Sequence, residues 1–131
     1  MQIINIDKSQ LAEDFKVLVL EDNATRNKWF KPRLIGLNVH YTDNATDALE
    51  LIKNNDYNLL FLDHDLGGKQ MVAITEFNTG STVARALKDK GGYENAQIII
   101  HSHNPGGSYN MSNLLKGSVW IPFGMFDINI I

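Results

Sequence analysis

Short apolar segments alternate with amphipathic segments along most of this sequence, and that alternation restricts the fold more than any other feature. The apolar segments are rich in the β-branched and aromatic residues that favour strands. The amphipathic segments carry apolar residues at helical spacing. Strands are predicted for "KVLVL" (16–20), "LNVHYT" (37–42), "YNLLFLD" (57–63), "AQIIIHS" (96–102) and "SVWIPF" (118–123). Helices are predicted between residues 24 and 35 and at 43–55, 81–92 and 111–117.

This β-α order predicts an α/β fold with a doubly wound, five-stranded parallel sheet covered by helices on both faces. The central segment, 57–63, is almost continuously apolar, which is typical of a strand buried on both sides. The 131 residues, 44% of them hydrophobic, are enough for one domain with one core. The first 15 residues precede the pattern, and we expect an extra strand or arm there.

Composition excludes several classes of protein. With 12 Lys and Arg against 15 Asp and Glu, the net charge is −3, so we expect no bulk DNA binding, which needs a basic surface. Cysteine is absent, which excludes disulfides and thiolate metal sites and fits a reducing compartment. No apolar run approaches the ~18 residues of a membrane span, and no secretory signal is present. We expect a cytoplasmic protein without a membrane partner, and the sequence leaves self-association open.

Polar residues end three of the predicted strands. The segment "LLFLDHDLGG" (59–68) shows this most clearly, because its apolar run stops at two carboxylates and an imidazole. In doubly wound sheets, ligands bind beyond the carboxyl ends of the strands. The residues gathered there are Glu21 and Asp22 after the first strand, Asp63, His64 and Asp65 after the third, and His101, Ser102, His103 and Asn104 after the fourth.

Carboxylates on neighbouring strand ends repel one another, and a hard divalent cation offsets that repulsion. Glu21, Asp22 and Asp63 are therefore predicted to hold Mg²⁺ or Mn²⁺. The alternative is that Asp22 and Asp63 only cap the helices that follow them. Capping accounts for one acid in each loop but not for a cluster.

His101 and His103 flank Ser102, and residues i and i+2 of an extended segment point to the same side. The two imidazoles are predicted to act on one ligand, either as metal ligands or as an acid and a base. The alternative is one buried core histidine and one exposed loop histidine.

Three further features surround this predicted site. The glycine amides of Gly106 and Gly107, ahead of a helix expected to start near Asn110, suit a phosphate, although the segment 104–108 also fits a plain turn. Arg26 lies one helical turn after Asp22 and can reach an anion. Residues 66–80 have little periodicity, and we expect them to form a flap beside the site.

The strings "KVLVLEDN", "LLFLDHDLGG", "AQIIIHS" and "WIPF" resemble the strand ends of two-component receiver domains, in the same order and at similar spacing. The resemblance implies that Glu21-Asp22 and Asp63 hold Mg²⁺ and that the Asp65 backbone carbonyl also binds it. It further implies that Asp63 accepts a phosphoryl group beside the Ser102 hydroxyl. The receiver lysine is missing, because Ile121 precedes Pro122, and the last helix is expected to be short or missing.

The whole string is more similar to a narrower group, the cyclic-phosphate processing receiver-like domains. The similarity covers about residues 16–126 and rests on the acidic pair with Arg26, "LDHDLGG", "TG" at 79–80 and "HSHNPGGSYNM" at 101–111. It implies a metal-dependent phosphoesterase that opens a cyclic phosphate on a nucleotide or an RNA end. In that hypothesis His101 or His64 transfers protons, and a covalent path through Asp63 is less favoured without the lysine. The phosphate is held by Ser102, Asn104, Gly106 and Gly107, with Arg26 and His103 beside it.

Two other functions stay open at this stage. One is a module that binds or sequesters a cyclic nucleotide or phosphorylated ligand without turning it over. The other is a degenerate receiver used for protein interaction, which has no need of His101, His103 or the glycines. The three histidines favour catalysis, since a simple anion binder more naturally uses Arg and Lys.

Overall fold

The computed structural model describes residues 1–131 and contains two parallel sheets. The strands are β1 (Gln2–Ile6), β2 (Lys16–Leu20), β3 (Asn38–Thr42), β4 (Leu59–Leu62), β5 (Gln97–Ile100), β6 (Val119–Trp120) and β7 (Phe126–Ile130). The larger sheet has the order β3-β2-β4-β5-β6, and β1 pairs with β7 in the smaller one. The five-stranded, doubly wound parallel sheet predicted from the sequence is therefore confirmed.

Four α-helices connect these strands: α1 (Ala24–Arg33), α2 (Ala45–Asn54), α3 (Gly80–Lys90) and α4 (Pro105–Leu114). Short 3₁₀ turns lie at Lys8–Gln10 and Tyr93–Asn95. Asparagine side chains start three of the helices. Asn23, Asn44 and Asn104 each accept a hydrogen bond from the backbone N–H three residues later. Such caps satisfy amide groups that the first helical turn leaves without partners.

The larger sheet has a core on each face. Helices α2, α3 and α4 cover one face, where Leu18, Leu60, Leu62, Ile98 and Ile100 are buried as part of one cluster. Alternate residues of the same strands point to the opposite face, as the period of a strand requires. There they pack with α1 and the β1–β7 pair, in a cluster that contains Phe30, Phe61 and Phe126.

The structure corrects two boundaries. Helix α4 begins at Pro105 rather than near Asn110, because Asn104 caps it and proline suits the first helical position. The last strand of the larger sheet is only Val119–Trp120, shorter than the predicted 118–123. The last helix, expected to be short or missing, is missing after this strand. The N-terminal segment, for which an extra strand or arm was expected, contains β1, which pairs with β7 near the other end of the sequence.

None of the helices has both the length and the apolar composition needed to cross a membrane.

Candidate metal and phosphate site

A pocket of about 540 Å³ lies at the carboxyl edge of the larger sheet, and part of the 66–80 segment, the flap, lines it. The flap was predicted to lie beside the site, and Gly68, Lys69, Gln70 and Met71 do line the pocket. Seven of the predicted site residues also line it, namely Glu21, Asp22, Arg26, Asp63, Asp65, Ser102 and His103. His64, His101, Asn104, Gly106 and Gly107 do not.

Two buried carboxylates form the floor of the pocket. Glu21 follows β2 and is 1% exposed, and Asp63 follows β4 and is 4% exposed. Arg26 approaches both, with its Nη1 atom 3.5 Å from Glu21 Oε1 and 3.9 Å from Asp63 Oδ2. His101 Nε2 lies 2.9 Å from Glu21 Oε1. Three potential metal-ligand atoms lie within 4.8 Å of one another, one each from Glu21, Asp63 and His101. They are close enough to surround a single cation.

The two carboxylates differ in their ionisation. Burial raises the pKa of Asp63 to about 7, and the neighbouring Glu21 charge adds to this. Burial also opposes ionisation of Glu21, but the hydrogen bond and charge of His101 outweigh it and lower the Glu21 pKa. The positive charge near the two buried carboxylates is therefore too small to keep both of them ionised. A divalent cation would supply it, so the residues present fit a metal site.

Asp22 faces the flap. Its Oδ2 atom accepts a hydrogen bond of 2.7 Å from the backbone N–H of Gly68. Burial raises the Asp22 pKa despite that bond, and the adjacent Glu21 charge raises it further. The predicted metal ligand therefore lines the pocket and also holds the flap against it.

Asp65 has the opposite environment to Asp63. Its carboxylate is bonded to His64 Nδ1 (2.9 Å) and accepts from Asn104 Nδ2 (2.9 Å) and the backbone N–H groups of Met71 (2.7 Å) and Val72 (3.2 Å). Burial raises its pKa, but these hydrogen bonds outweigh burial and lower it. The Asp65 side chain therefore anchors the flap, and the metal contact predicted for Asp65 was to its backbone carbonyl.

His64 lies behind the pocket, on the side of the sheet that α3 and α4 cover. It is fully buried, and its Nε2 atom is 2.9 Å from Ser81 Oγ. The Gly80 N–H donates to its carbonyl. A Cβ atom on Gly107 would lie only 2.3 Å from the His64 ring, so the helix start and the imidazole are in direct contact. The structure does not support His64 as an acid or base in the pocket.

His101 is also enclosed. It has no exposed surface, and its ring packs against Phe30 and Phe123 with centroid distances of 5.4 and 6.4 Å. Its Nε2–H donates to Glu21 Oε1, and its Nδ1 has no hydrogen-bond partner. This geometry orients Glu21. It does not support His101 as the group that exchanges protons with a ligand.

His103 is the one imidazole that lines the pocket. It is exposed, and its Nε2–H donates to the Phe123 carbonyl at 2.8 Å. That bond leaves the basic lone pair on Nδ1. Ser102 is 1% exposed, and its Oγ accepts from the Asn104 N–H at 3.0 Å.

The predicted glycine cradle for phosphate is not what the structure contains. Gly106 and Gly107 belong to the first turn of α4, and the Gly107 N–H already donates to Asn104 Oδ1. Asn104 is 7% exposed and uses its amide on Asp65 and the Val72 carbonyl. These residues build the wall behind the pocket.

Several residues that shape the site were not identified from the sequence. Lys69 brings a second basic side chain to the pocket from the flap. Ser81 links His64 to Asn110, whose Nδ2 donates to Ser81 Oγ at 2.8 Å. Phe123 lies 4.8 Å under the Arg26 guanidinium. Lys69 could have been found from its place directly after Gly67-Gly68, but the other contacts join distant parts of the chain.

Comparison of the fold with solved structures places it among receiver domains. A sensor protein from Polaromonas sp. JS666 is 19% identical with a TM-score of 0.62, covering 84% of each chain. The response regulator TrrA from Thermotoga maritima, solved with Mg²⁺ and BeF, is 22% identical with a TM-score of 0.61, covering 83% of this chain and 88% of that one. A receiver domain from Methylobacillus flagellatus is 18% identical with a TM-score of 0.56, covering 88% and 85%. At these identities the similarity establishes the fold alone.

No curated protein matches the sequence. The profile of the "Cyclic-phosphate processing Receiver domain" family matches residues 16–117, which are most of the chain and all of the strand ends that build the pocket. The chain belongs to the cyclic-phosphate processing receiver domain family.

Proposed function

We propose that the protein is a metal-dependent phosphoesterase that opens a cyclic phosphate on a nucleotide or an RNA end. One observation carries the proposal more than any other. Two buried, incompletely compensated carboxylates lie on the floor of a pocket that also contains Arg26, Lys69 and an exposed imidazole. Groups that bind a cation, groups that bind an anion and an imidazole that can transfer protons thus share one cavity.

Glu21 and Asp63 would hold Mg²⁺ or Mn²⁺, with Asp22 at the pocket edge, and His101 fixes the orientation of Glu21. The Mg²⁺ in the related TrrA structure supports a divalent cation as the cofactor. When bound, such an ion polarises a phosphate oxygen and lowers the pKa of water. Arg26 and Lys69 would bind the phosphate oxygens, with the Ser102 hydroxyl beside them, because their positive charges complement the anion.

His103 is the proposed proton-transfer group. Opening a cyclic diester adds the oxygen of one water to phosphorus, breaks one P–O ester bond and returns a proton to the released hydroxyl. The free Nδ1 lone pair of His103 can take the first proton, and the resulting imidazolium can supply the second. This role replaces the one that the sequence suggested for His101 and His64.

The proposal is tested by incubating the protein with Mg²⁺ or Mn²⁺ and a panel of cyclic mononucleotides, cyclic dinucleotides and RNA with 2′,3′-cyclic phosphate ends. We expect turnover of one class. His103→Ala should lose about 10²–10⁴-fold in kcat, the usual contribution of a general acid or base. It should keep its metal affinity, since the carboxylates lie elsewhere in the pocket.

His40→Ala provides the matched control, because His40 lies on β3 and bonds to Tyr57, away from the pocket. Its turnover should match the wild type once the protein is folded. Equal losses in both variants would remove His103 from the mechanism.

The alternative is a module that binds a cyclic nucleotide or phosphorylated ligand without turning it over. It gains support from the burial of His64 and His101, which leaves a single imidazole at the pocket. Tight binding of a panel member, released unchanged with both metals, would establish this alternative in place of the esterase.

A further inference from the structure

We infer that Arg26 is the counter-ion of the metal-free site, and that a divalent cation displaces its guanidinium from the carboxylates to the phosphate. The inference rests on the proposed function of the pocket and adds an order of binding to it. Metal binds first, and its binding creates the anion site.

Arg26 is the only Lys or Arg within 4.0 Å of either buried carboxylate. Its side chain is 24% exposed, whereas those of Glu21 and Asp63 are 0% and 6% exposed. It comes from the first turn of α1, where its backbone N–H donates to Asn23. Burying carboxylates requires compensating charge, and Arg26 contributes the permanent part of it.

The attachment of this guanidinium is loose. Its distances of 3.5 and 3.9 Å from the carboxylate oxygens exceed the length of an N–H···O hydrogen bond. None of its N–H groups donates to a protein acceptor in the structure. Its Cζ atom lies 4.8 Å from the centre of the Phe123 ring, a contact that does not fix the directions of the N–H donors.

Another arginine of the same helix shows the contrast. Arg33 Nε donates to Asp127 Oδ1 at 2.8 Å, and its Nη1 donates to the Trp29 carbonyl at 3.1 Å. It also stacks on the Trp29 ring at 4.1 Å. Hydrogen bonds thus hold Arg33 in place, while Arg26 is held by charge and by the Phe123 ring and keeps its N–H donors available.

A divalent cation bound by Glu21 and Asp63 would lie a few ångströms from the Arg26 guanidinium. Like charges at that separation in a buried site repel strongly, so the guanidinium moves outward into the pocket that it already lines. Without metal, four carboxylates and two basic side chains face that pocket, and a phosphate is repelled. With metal bound these charges balance, and the released Arg26 guanidinium then faces the phosphate and attracts it.

The affinity for the metal ion and the affinity for phosphate should therefore change in opposite directions in Arg26→Met. We expect Mn²⁺, measured by the EPR signal of the free ion, to bind about tenfold more tightly, because a repelling charge is removed. Inorganic phosphate, titrated calorimetrically into Mg²⁺-saturated protein, should bind about 10- to 100-fold more weakly, the usual effect of losing charge-assisted hydrogen bonds. Arg26→Lys, which keeps the charge, should leave both affinities closer to those of the wild type.

Arg33→Met is the matched control, since it should lower the melting temperature and change neither affinity. If Arg26→Met weakens both ligands, or leaves Mn²⁺ affinity unchanged, Arg26 is a structural residue or a plain phosphate ligand and the inference fails. A wild type that binds neither metal ion refutes the proposed function as well. A wild type that binds metal and turns over substrate, with no opposed shifts in the variant, refutes this inference alone.

Discussion

Asp63 and Asp65 stand two residues apart at the end of β4, yet their surroundings are opposite. Asp63 is nearly fully buried, with one backbone donor at 2.8 Å and a distant guanidinium, and its pKa rises to about 7. Asp65 is bonded to four protein groups, and its pKa falls. A buried carboxylate with few hydrogen-bond partners is available to bind a ligand. A carboxylate whose oxygens already accept several hydrogen bonds stabilises the fold instead.

The largest expected effect comes from making the same substitution at both positions. Asp65→Asn should lower the free energy of unfolding by about 3 kcal/mol, because several donors lose a charged acceptor. Asp63→Asn should raise it by about 1–2 kcal/mol in metal-free protein at pH 8, because it removes a charge whose ionisation the fold opposes. Urea unfolding in EDTA measures both. Two changes of the same sign would abolish the distinction between the aspartates.

A smaller effect is expected at the glycines behind Asp65. Gly107→Ala should destabilise the protein by about 2 kcal/mol, since a Cβ there meets the His64 ring at 2.3 Å and overpacking a filled interior has that typical cost. Gly106→Ala is the matched control. Its Cβ would meet only Asn104 Oδ1, at 3.7 Å, so its stability should stay within about 0.5 kcal/mol of the wild type. Similar melting temperatures for the two variants would show that His64 is not tightly enclosed.

The smallest effect is the dependence of stability on pH. The Asp63 pKa is raised from 3.8 to about 7 by burial first and by Glu21 second, so between these values the folded state holds a proton that the unfolded state has lost. Its contribution to stability is complete below about 4 and is lost as the pH rises to about 7, a total loss of about 1–2 kcal/mol, the same charge cost that Asp63→Asn removes at pH 8. The lowered pKa of Asp65 acts in the opposite sense, losing stability only as the pH falls below about 4.

The contribution of Asp63 is isolated by subtracting the unfolding free energy of the Asp63→Asn variant from that of the wild type. In EDTA, the difference in unfolding free energy between the two proteins should change steadily from pH 4.5 to 7 and then level off. A constant difference over that range would mean that Asp63 ionises normally. Saturating Mn²⁺ should stabilise the wild type most at high pH, where the carboxylate is charged.

The sequence was sufficient to predict the five-stranded sheet and its core, because strand segments such as 59–62 are short, apolar and separated by clear helical patterns. It was insufficient for the start of α4, although Asn104-Pro105 is a recognisable cap and first-turn pair; Gly106-Gly107 suggested a turn instead. The pairing of β1 with β7 joins residues about 120 positions apart, and no local pattern specifies such a contact.

The acidic part of the site was also accessible from sequence, since strand ends meet at one edge of a parallel sheet. The directions in which the histidine side chains point were not predicted from the sequence. Alternation along β4 places His64 on the face opposite Asp63, a signal that was present but not used. For His101, burial depends on Phe30 and Phe123, which come from α1 and from the segment after β6. Which nitrogen finds a partner is decided by such tertiary packing.

The β1–β7 pair has a consequence for biosynthesis. Ile4 and Ile6 are buried against the same core face as Phe126 and Ile128, so β1 leaves the ribosome before the rest of this domain and has no strand partner until β7 is made. The larger sheet, complete by Trp120, can assemble before that, while its Phe30 and Phe61 side remains partly uncovered. The nascent chain therefore carries an unpaired apolar strand while the residues between β1 and β7 are made, the kind of segment that chaperones recognise.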